Sequence, residues 1–223
     1  MIDPSDLDDL RASLAAWDQP ELPASLAQDC ARLLNVSDSA ITFVGDSDQV
    51  VLCASSDEAR SLDEWEFTLR EGPGPDAATT RTTTSGDTAP RDSRPWPRLA
   101  VKAKTIGYLS IAGVPMQSEG KMFAILSLQD RKGMIGPETL AAAEHLAEEL
   151  ASQIVGILSQ RPFSLDRPAE HDRFHQATGM VMVQMELDAE AAAAMLRHHA
   201  WSEDRSVSAV AADVVARRLA FRT

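Results

Sequence analysis

The sequence predicts a mixed strand-and-helix front part followed by a small all-helical tail. Three observations carry this. Residues 41–54 and 106–129 each hold two apolar runs of strand length flanking a Gly-containing turn. A long helix-periodic stretch opens at Gly136-Pro137. Between Phe174 and Phe221 three short amphipathic segments follow one another, two of them behind N-cap residues.

In chain order, Asp3-Pro4 reads as an N-cap and first-turn proline opening a helix through Leu7, Leu10, Leu14 and Trp17. Pro20 and Pro23 interrupt it. Leu22, Leu26, Cys30 and Leu33 mark a second helix ending near Asn35. Strands follow at 41–44 and 50–54, joined by Gly45-Asp46-Ser47-Asp48. The stretch 71–97 is rich in Gly, Pro, Thr and Ser and reads as loop with one short helix at most. Two further strands, 106–114 and 122–129, flank Gln117-Ser118-Glu119-Gly120. The helix from Pro137 to about Gln160 then carries Leu140, Ala143, Ala147, Leu150, Ile154 and Ile157 in a three-four alternation. That narrow seam is the coiled-coil pattern. Prolines at 162 and 168 make 161–168 a linker.

In the tail, Phe174, Ala177, Val181 and Gln184 or Met185 form the inward face of one helix. Asp188 caps a second, striped by Ala192, Met195, Leu196 and His199. Ser206 caps a third, with Val207, Val210, Ala211, Val214 and Val215 inside and Arg217, Arg218 and Arg222 near its end. Core residues this small predict a compact bundle and not an enzyme cleft.

Composition narrows the function. A chain of 223 residues suits one larger or two small domains. The acidic first twenty residues lack the apolar stretch of a signal peptide, and no apolar run approaches the roughly 18 residues that span a bilayer. A cytoplasmic protein without membrane partners is expected. Cys30 and Cys53 have no zinc or redox spacing and read as buried free thiols. The net charge is −13, shared as 25 acids and 14 bases over 1–165 and 9 acids and 7 bases over 166–223. Nonspecific coating of nucleic acid is thereby disfavoured, because counterion release needs many cations in one place. A small shaped RNA needs fewer, gathered on one face.

The runs Gln176-Ala177-Thr178-Gly179-Met180-Val181-Met182, Met195-Leu196-Arg197 with Ala200, and Val210-Ala211 with Val214-Val215 resemble the ANTAR domain. The resemblance implies a three-helix module that binds RNA hairpins and antiterminates transcription. Thr178 stands where many members of that family carry lysine. The front part resembles a GAF domain through Glu71-Gly72-Pro73, Asp76-Ala77, Trp96-Pro97, the strand pair in 106–129 and the helix opening at Pro137. This implies an α+β fold, an antiparallel sheet flanked by helices, that senses a small molecule and often dimerises. The implied organisation is an N-terminal helix (1–19), a GAF sensor (20–160), a linker (161–168) and an ANTAR output (169–223). The stripes Leu7 to Trp17 and Leu140 to Ile157 are then the expected homodimer elements.

The resemblance and the residues together nominate Gln176, Thr178, Gly179, Arg197, Ala200, Arg217 and Arg218 for RNA contact. Cations at helix C-termini also answer the helix dipole, but arginine both pairs with phosphate and stacks on unpaired bases. Arg197→Ala is expected to weaken hairpin binding and leave the thermal melt nearly unchanged. Of His198 and His199, at most one shares that face. Gly179 is read first as a place where another helix packs closely, with close RNA approach as the alternative. Gln176 and Thr178 point to different faces. His171 and His175 stand at i, i+4, but no third ligand follows, so no metal is called for. No catalytic constellation and no cofactor is indicated, and the GAF ligand is unknown. Six bases against two acids between Arg81 and Lys104 read first as a solvated surface, with an anionic ligand or a second RNA contact as alternatives. Two competing functions remain: a ligand-binding module whose tail docks protein, and an enzyme using the GAF interior.

Overall fold

The computed structural model describes residues 4–15, 22–45, 49–88, 95–160 and 169–221, the side chains of Ala15, 157–160 and 169–172 excepted. Asp3, Trp17, the 161–168 linker, Arg222 and the His171 and Ile157 side chains lie outside it. The chain divides into two units: Met1–Glu66 with Glu71–Ser164, and Phe67–Arg70 with Leu165–Thr223.

The first unit is built on one antiparallel sheet of order β2-β1-β5-β4-β3. Its strands are β1 (Asp38–Val44), β2 (Gln49–Ala54), β3 (Thr84–Asp87), β4 (Ser110–Ser118) and β5 (Lys121–Asp130). The β4–β5 turn is two residues long, since Ser118 pairs with Lys121, and both Glu119 and Gly120 have positive φ. That is the left-handed geometry whose twist suits a hairpin, and Gly120 adopts it without a Cβ penalty.

Strand alternation divides the sheet into two chemically different faces. Ile41, Val114, Met116, Leu126 and Leu128 enter an apolar core together with α1 (Pro4–Ala15), α2 (Ala24–Leu33) and α6 (Pro137–Gln160). Thr42, Ser127 and Gln129, one residue out of step, carry polar side chains buried on the other side. There α3 (Asp57–Leu69) and α4 (Pro73–Thr80) supply the cover. A further helix, α5 (Pro97–Ile106), begins at a proline and ends at Gly107 in the left-handed region.

The stretch 71–97, expected as loop with one short helix at most, holds β3 as well as α4, and three other sequence expectations change here. The strand expected over 106–114 starts at Ser110, because 97–106 is α5. The segment 57–69, in which no element is expected, is the thirteen-residue α3, with Ser56 Oγ accepting from the Ala59 N–H at its start. The third concerns the proposed dimer. Leu7, Leu10 and Leu14 of α1, and Ala143, Ala147, Leu150 and Ile154 of α6, are all buried in the chain's own core. α1 packs on α2 and α6, and α6 packs on β4. The described core of each stripe is therefore spent inside one chain, and those seven residues do not face a second copy.

The second unit is a bundle of α7 (Ala169–Met185), α8 (Ala189–Ser202) and α9 (Val207–Val215). Both expected caps are present. Asp188 accepts from the Ala191 N–H and Ser206 from the Ala209 N–H. The core is Phe174, Ala177, Val181, Ala192, Leu196, Ala200, Val207, Val210, Ala211 and Val214, the small residues letting three short helices approach closely.

Candidate nucleic-acid interface

The C-terminal end of α9 gathers charge. Its last turn closes as a Schellman motif: the Arg217 N–H bonds the Val214 carbonyl at 2.9 Å and the Arg218 N–H bonds the Asp213 carbonyl at 2.8 Å. Arg217 takes the left-handed C′ conformation (φ 58°) that glycine usually fills. Its side chain is exposed. Arg218 folds back so that Nε donates to Asp213 Oδ1 at 2.8 Å, and Arg205 reaches Asp213 Oδ2 from the preceding loop at 2.6 Å. The hydrogen bonds from Arg205 and then Arg218 hold the Asp213 carboxyl below its ordinary range. Three guanidinium-bearing residues therefore lie at or beside one helix end.

Arg197 is held elsewhere. Its guanidinium carbon lies 5.2 Å from the centre of the Phe67 ring and 4.8 Å from that of Phe174, and Nε donates to the Phe67 carbonyl at 3.4 Å. Burial, with the charge of Arg70 adding to it, draws its pKa down to about 10. This arginine is packed within its unit and does not join an outward patch.

The other nominated residues separate by depth. Gln176 and Gly179 are exposed on α7. Among the described residues a Cβ at Gly179 would meet nothing within 4 Å, so no described helix packs closely over it. Val183, one turn further along the same helix, is 82% exposed. Thr178 is buried and its hydroxyl donates to the Phe174 carbonyl, a bond inside α7. Ala200 is fully buried in the bundle core, where its part is packing. His198 is exposed, whereas the His199 ring packs edge-on against Phe221. Sequence reasoning passed over Arg205 because it precedes the Ser206 cap and follows two acids, so it reads as loop.

In the first unit the loop carrying Glu71-Gly72-Pro73 folds around a buried acid. Glu66 lies under the start of α4 and accepts from the Gly74 N–H at 3.1 Å. Its side chain occupies the space a Cβ would take at Gly72 (φ 146°) and at Gly74, which explains both glycines. One turn earlier, Asp63 accepts from Thr42 Oγ1 (2.5 Å), Ser127 Oγ (3.1 Å) and Gln129 Nε2 (3.3 Å). Burial pushes Asp63 up to about 6, and burial plus the nearby Asp63 charge pushes Glu66 well above the carboxylate range. Among the described residues Gln129 Oε1, buried there, has no hydrogen-bond partner. Asp76 accepts from Trp96 Nε1 at 2.8 Å and Glu71 binds Arg98, so the loop residues lock one another. Of the six bases between Arg81 and Lys104, Arg98 is thus paired and Lys102 lies 4.0 Å over the Trp65 ring, while Arg91 and Arg94 fall outside the described residues. Both cysteines are buried free thiols whose pKa values burial raises.

Comparison with known families decides what these units are. The GAF-domain family model matches residues 21–154, and the ANTAR-domain family model matches residues 166–215. The chain belongs to the GAF family and carries a C-terminal ANTAR domain. Among solved structures, the GAF domain of a phosphoenolpyruvate-protein phosphotransferase from Coxiella burnetii has a TM-score of 0.52 at 14% identity, over 70% of this chain and 94% of that one. The phycoerythrobilin-bound GAF domain of a cyanobacterial phytochrome has a TM-score of 0.50 at 14% identity, over 70% and 96%. At such identities the likeness is one of fold. No curated protein matches the chain. GAF and ANTAR domains are sensor and regulatory modules. Among the described residues no group of His, Cys, Asp and Glu has the arrangement of a metal site, and no helix is long and apolar enough to cross a membrane.

Proposed function

We propose that this chain is a signal-responsive cytoplasmic regulator: the GAF domain (20–160) senses a small molecule, and the ANTAR domain (169–223) binds an RNA hairpin and antiterminates transcription. The observation that supports it is the convergence of Arg205 and Arg218 on Asp213 at the end of α9, where exposed Arg217 also stands, in a unit matching the ANTAR family. Exposed Gln176 and Gly179 on α7 are further contacts in this reading, with Thr178 and Ala200 shaping the bundle from inside. Arginine at a helix end suits a phosphate turn beside an unpaired loop base.

The test is binding of the full chain to a stem–loop RNA from its own transcript leader, measured at low and moderate salt, for the natural protein and for Arg217→Gly. Glycine suits the left-handed C′ position better than arginine by about 1 kcal/mol, so this variant should melt no lower than the natural protein. It should nonetheless bind more weakly, with the slope of log K against log salt reduced by about one. Equal binding by the two proteins removes Arg217 from the site. Absence of binding at low salt removes the RNA reading and favours the second one, a protein-docking tail, to which the exposed Val183 beside the open Gly179 would belong.

A further inference from the structure

Asp213 lies in the last turn of α9, where a negative charge opposes the helix dipole. The helix dipole therefore does not explain an acid there. What it does is bind cations. Its two carboxylate oxygens are divided between two arginines, Oδ2 to Arg205 and Oδ1 to Arg218. Arg205 is held a second time, by Glu203 Oε2 at 3.2 Å, and its NH2 also reaches the Ala209 carbonyl at 3.4 Å. Arg218 is tied to the same aspartate through its backbone N–H. The two guanidiniums are thus fixed around one anionic point before any partner arrives. The Arg218 side chain is still 65% exposed.

A carboxylate and a phosphate present the same kind of acceptors to a guanidinium fork. Surface ion pairs of this type are weak, so a well-placed phosphate competes with them. A phosphate arriving at random does not, because Asp213 and Glu203 cancel most of the charge of Arg205, Arg217 and Arg218. We propose that Asp213 is a specificity-determining residue of the ANTAR surface, an internal stand-in for an RNA phosphate that holds Arg205 and Arg218 in place and rejects RNA lacking a phosphate at that point. The inference rests on the RNA-binding reading given above. It adds a local restraint at the arginines to the disfavouring of nonspecific binding that the net charge of −13 already brings.

The experiment compares the full-length natural protein, Asp213→Asn and Glu203→Gln on two probes: the stem–loop RNA and an unstructured strand of equal length. Asparagine keeps the size and one acceptor oxygen, and thermal melts check that each variant is folded. Asp213→Asn should bind the unstructured strand about tenfold more tightly at low salt, with a salt slope steeper by about one for each guanidinium released. The preference for the stem–loop should shrink accordingly. Glu203→Gln, which frees Arg205 on one side only, should show the same trend to a smaller degree. Binding of the unstructured strand by Asp213→Asn that is equal to or weaker than that of the natural protein overturns the proposal, even where the natural protein binds the stem–loop. Failure of the natural protein and of Asp213→Asn on both probes overturns this proposal and the RNA reading together. Binding gained only on Asp213→Asn supports the masking of the two arginines by this carboxylate.

Discussion

Arg197 carries its charge among aromatic rings, and that placement sets its energetics. Each guanidinium–ring contact contributes about 0.5–2 kcal/mol when partly desolvated. The alkyl stem adds packing that alanine would lose. Arg197→Ala should therefore lower stability by about 1–3 kcal/mol, seen as a lower melting midpoint. This reverses the sequence-based expectation of an unchanged melt. Arg197→Lys should recover only part of the loss, since an ammonium lacks the planar face. A midpoint unmoved by the alanine change would return Arg197 to the surface.

Glu66 makes a separate prediction, about pH. Its pKa is raised in the folded protein by burial and by Asp63, with Asp76 of α4 adding to it and the Gly74 N–H opposing. For an acid so shifted, the unfolded chain ionises first. The contribution to stability is complete below the ordinary glutamate range and is lost as pH rises toward the folded value. Asp63 behaves alike up to about 6, with Arg60 opposing and Glu64 assisting its shift. Glu66→Gln keeps an acceptor for the Gly74 N–H and has nothing to ionise. Melts at pH 5 and pH 8 should show the natural protein losing stability with rising pH, and the variant losing less. Parallel declines in the two proteins would show that Glu66 is not the group responsible.

At the scale of elements, what could be read from the chain depended on whether a local rule was enough. The caps Asp188 and Ser206 use side chains within three residues of their targets, so the tail helices were plain in the sequence. The β4–β5 turn was marked by Gly120 in the same way. α3 was not legible because its inward stripe of Ala59, Leu62, Asp63 and Glu66 places two acids where a periodic apolar pattern is sought. Asp63 is inside because strands 21 and 64 residues away supply its hydrogen-bond donors, and Glu66 because the Gly74 N–H at the start of α4 donates to it. Such local inconsistency is expected where a fold keeps polar groups in its interior. α5 did carry a readable signal, Pro97 at its start and Gly107 at its end, that the apolar run from Ile106 obscured. The candidate site divides similarly. Arg217 and Arg218 were visible as cations at a helix end, but the withdrawal of Arg197 depends on Phe67, 130 residues earlier.

For the molecule as a whole, the question left by the two leucine-rich stripes is what they hold together. A three-four alternation records that a helix has one apolar seam and does not say whether the facing surface belongs to the same chain. Here α1 and α6 spend their seams on α2, on the sheet and on each other. Leu150 is 1% exposed in that core. Leu150→Ala should thus cost about 2–5 kcal/mol, and lower the melting midpoint by roughly 2–4 °C for each kcal/mol in a chain of this size. A residue stabilising a single chain and one stabilising a dimer seam differ in a measurable respect. Dimer dissociation coupled to unfolding makes the midpoint climb with protein concentration, because association is favoured by mass action. The loss caused by Leu150→Ala should be the same at low and at high protein concentration. If concentrating the variant restored its midpoint, the α6 seam would have to be holding two chains together, contrary to its burial within one.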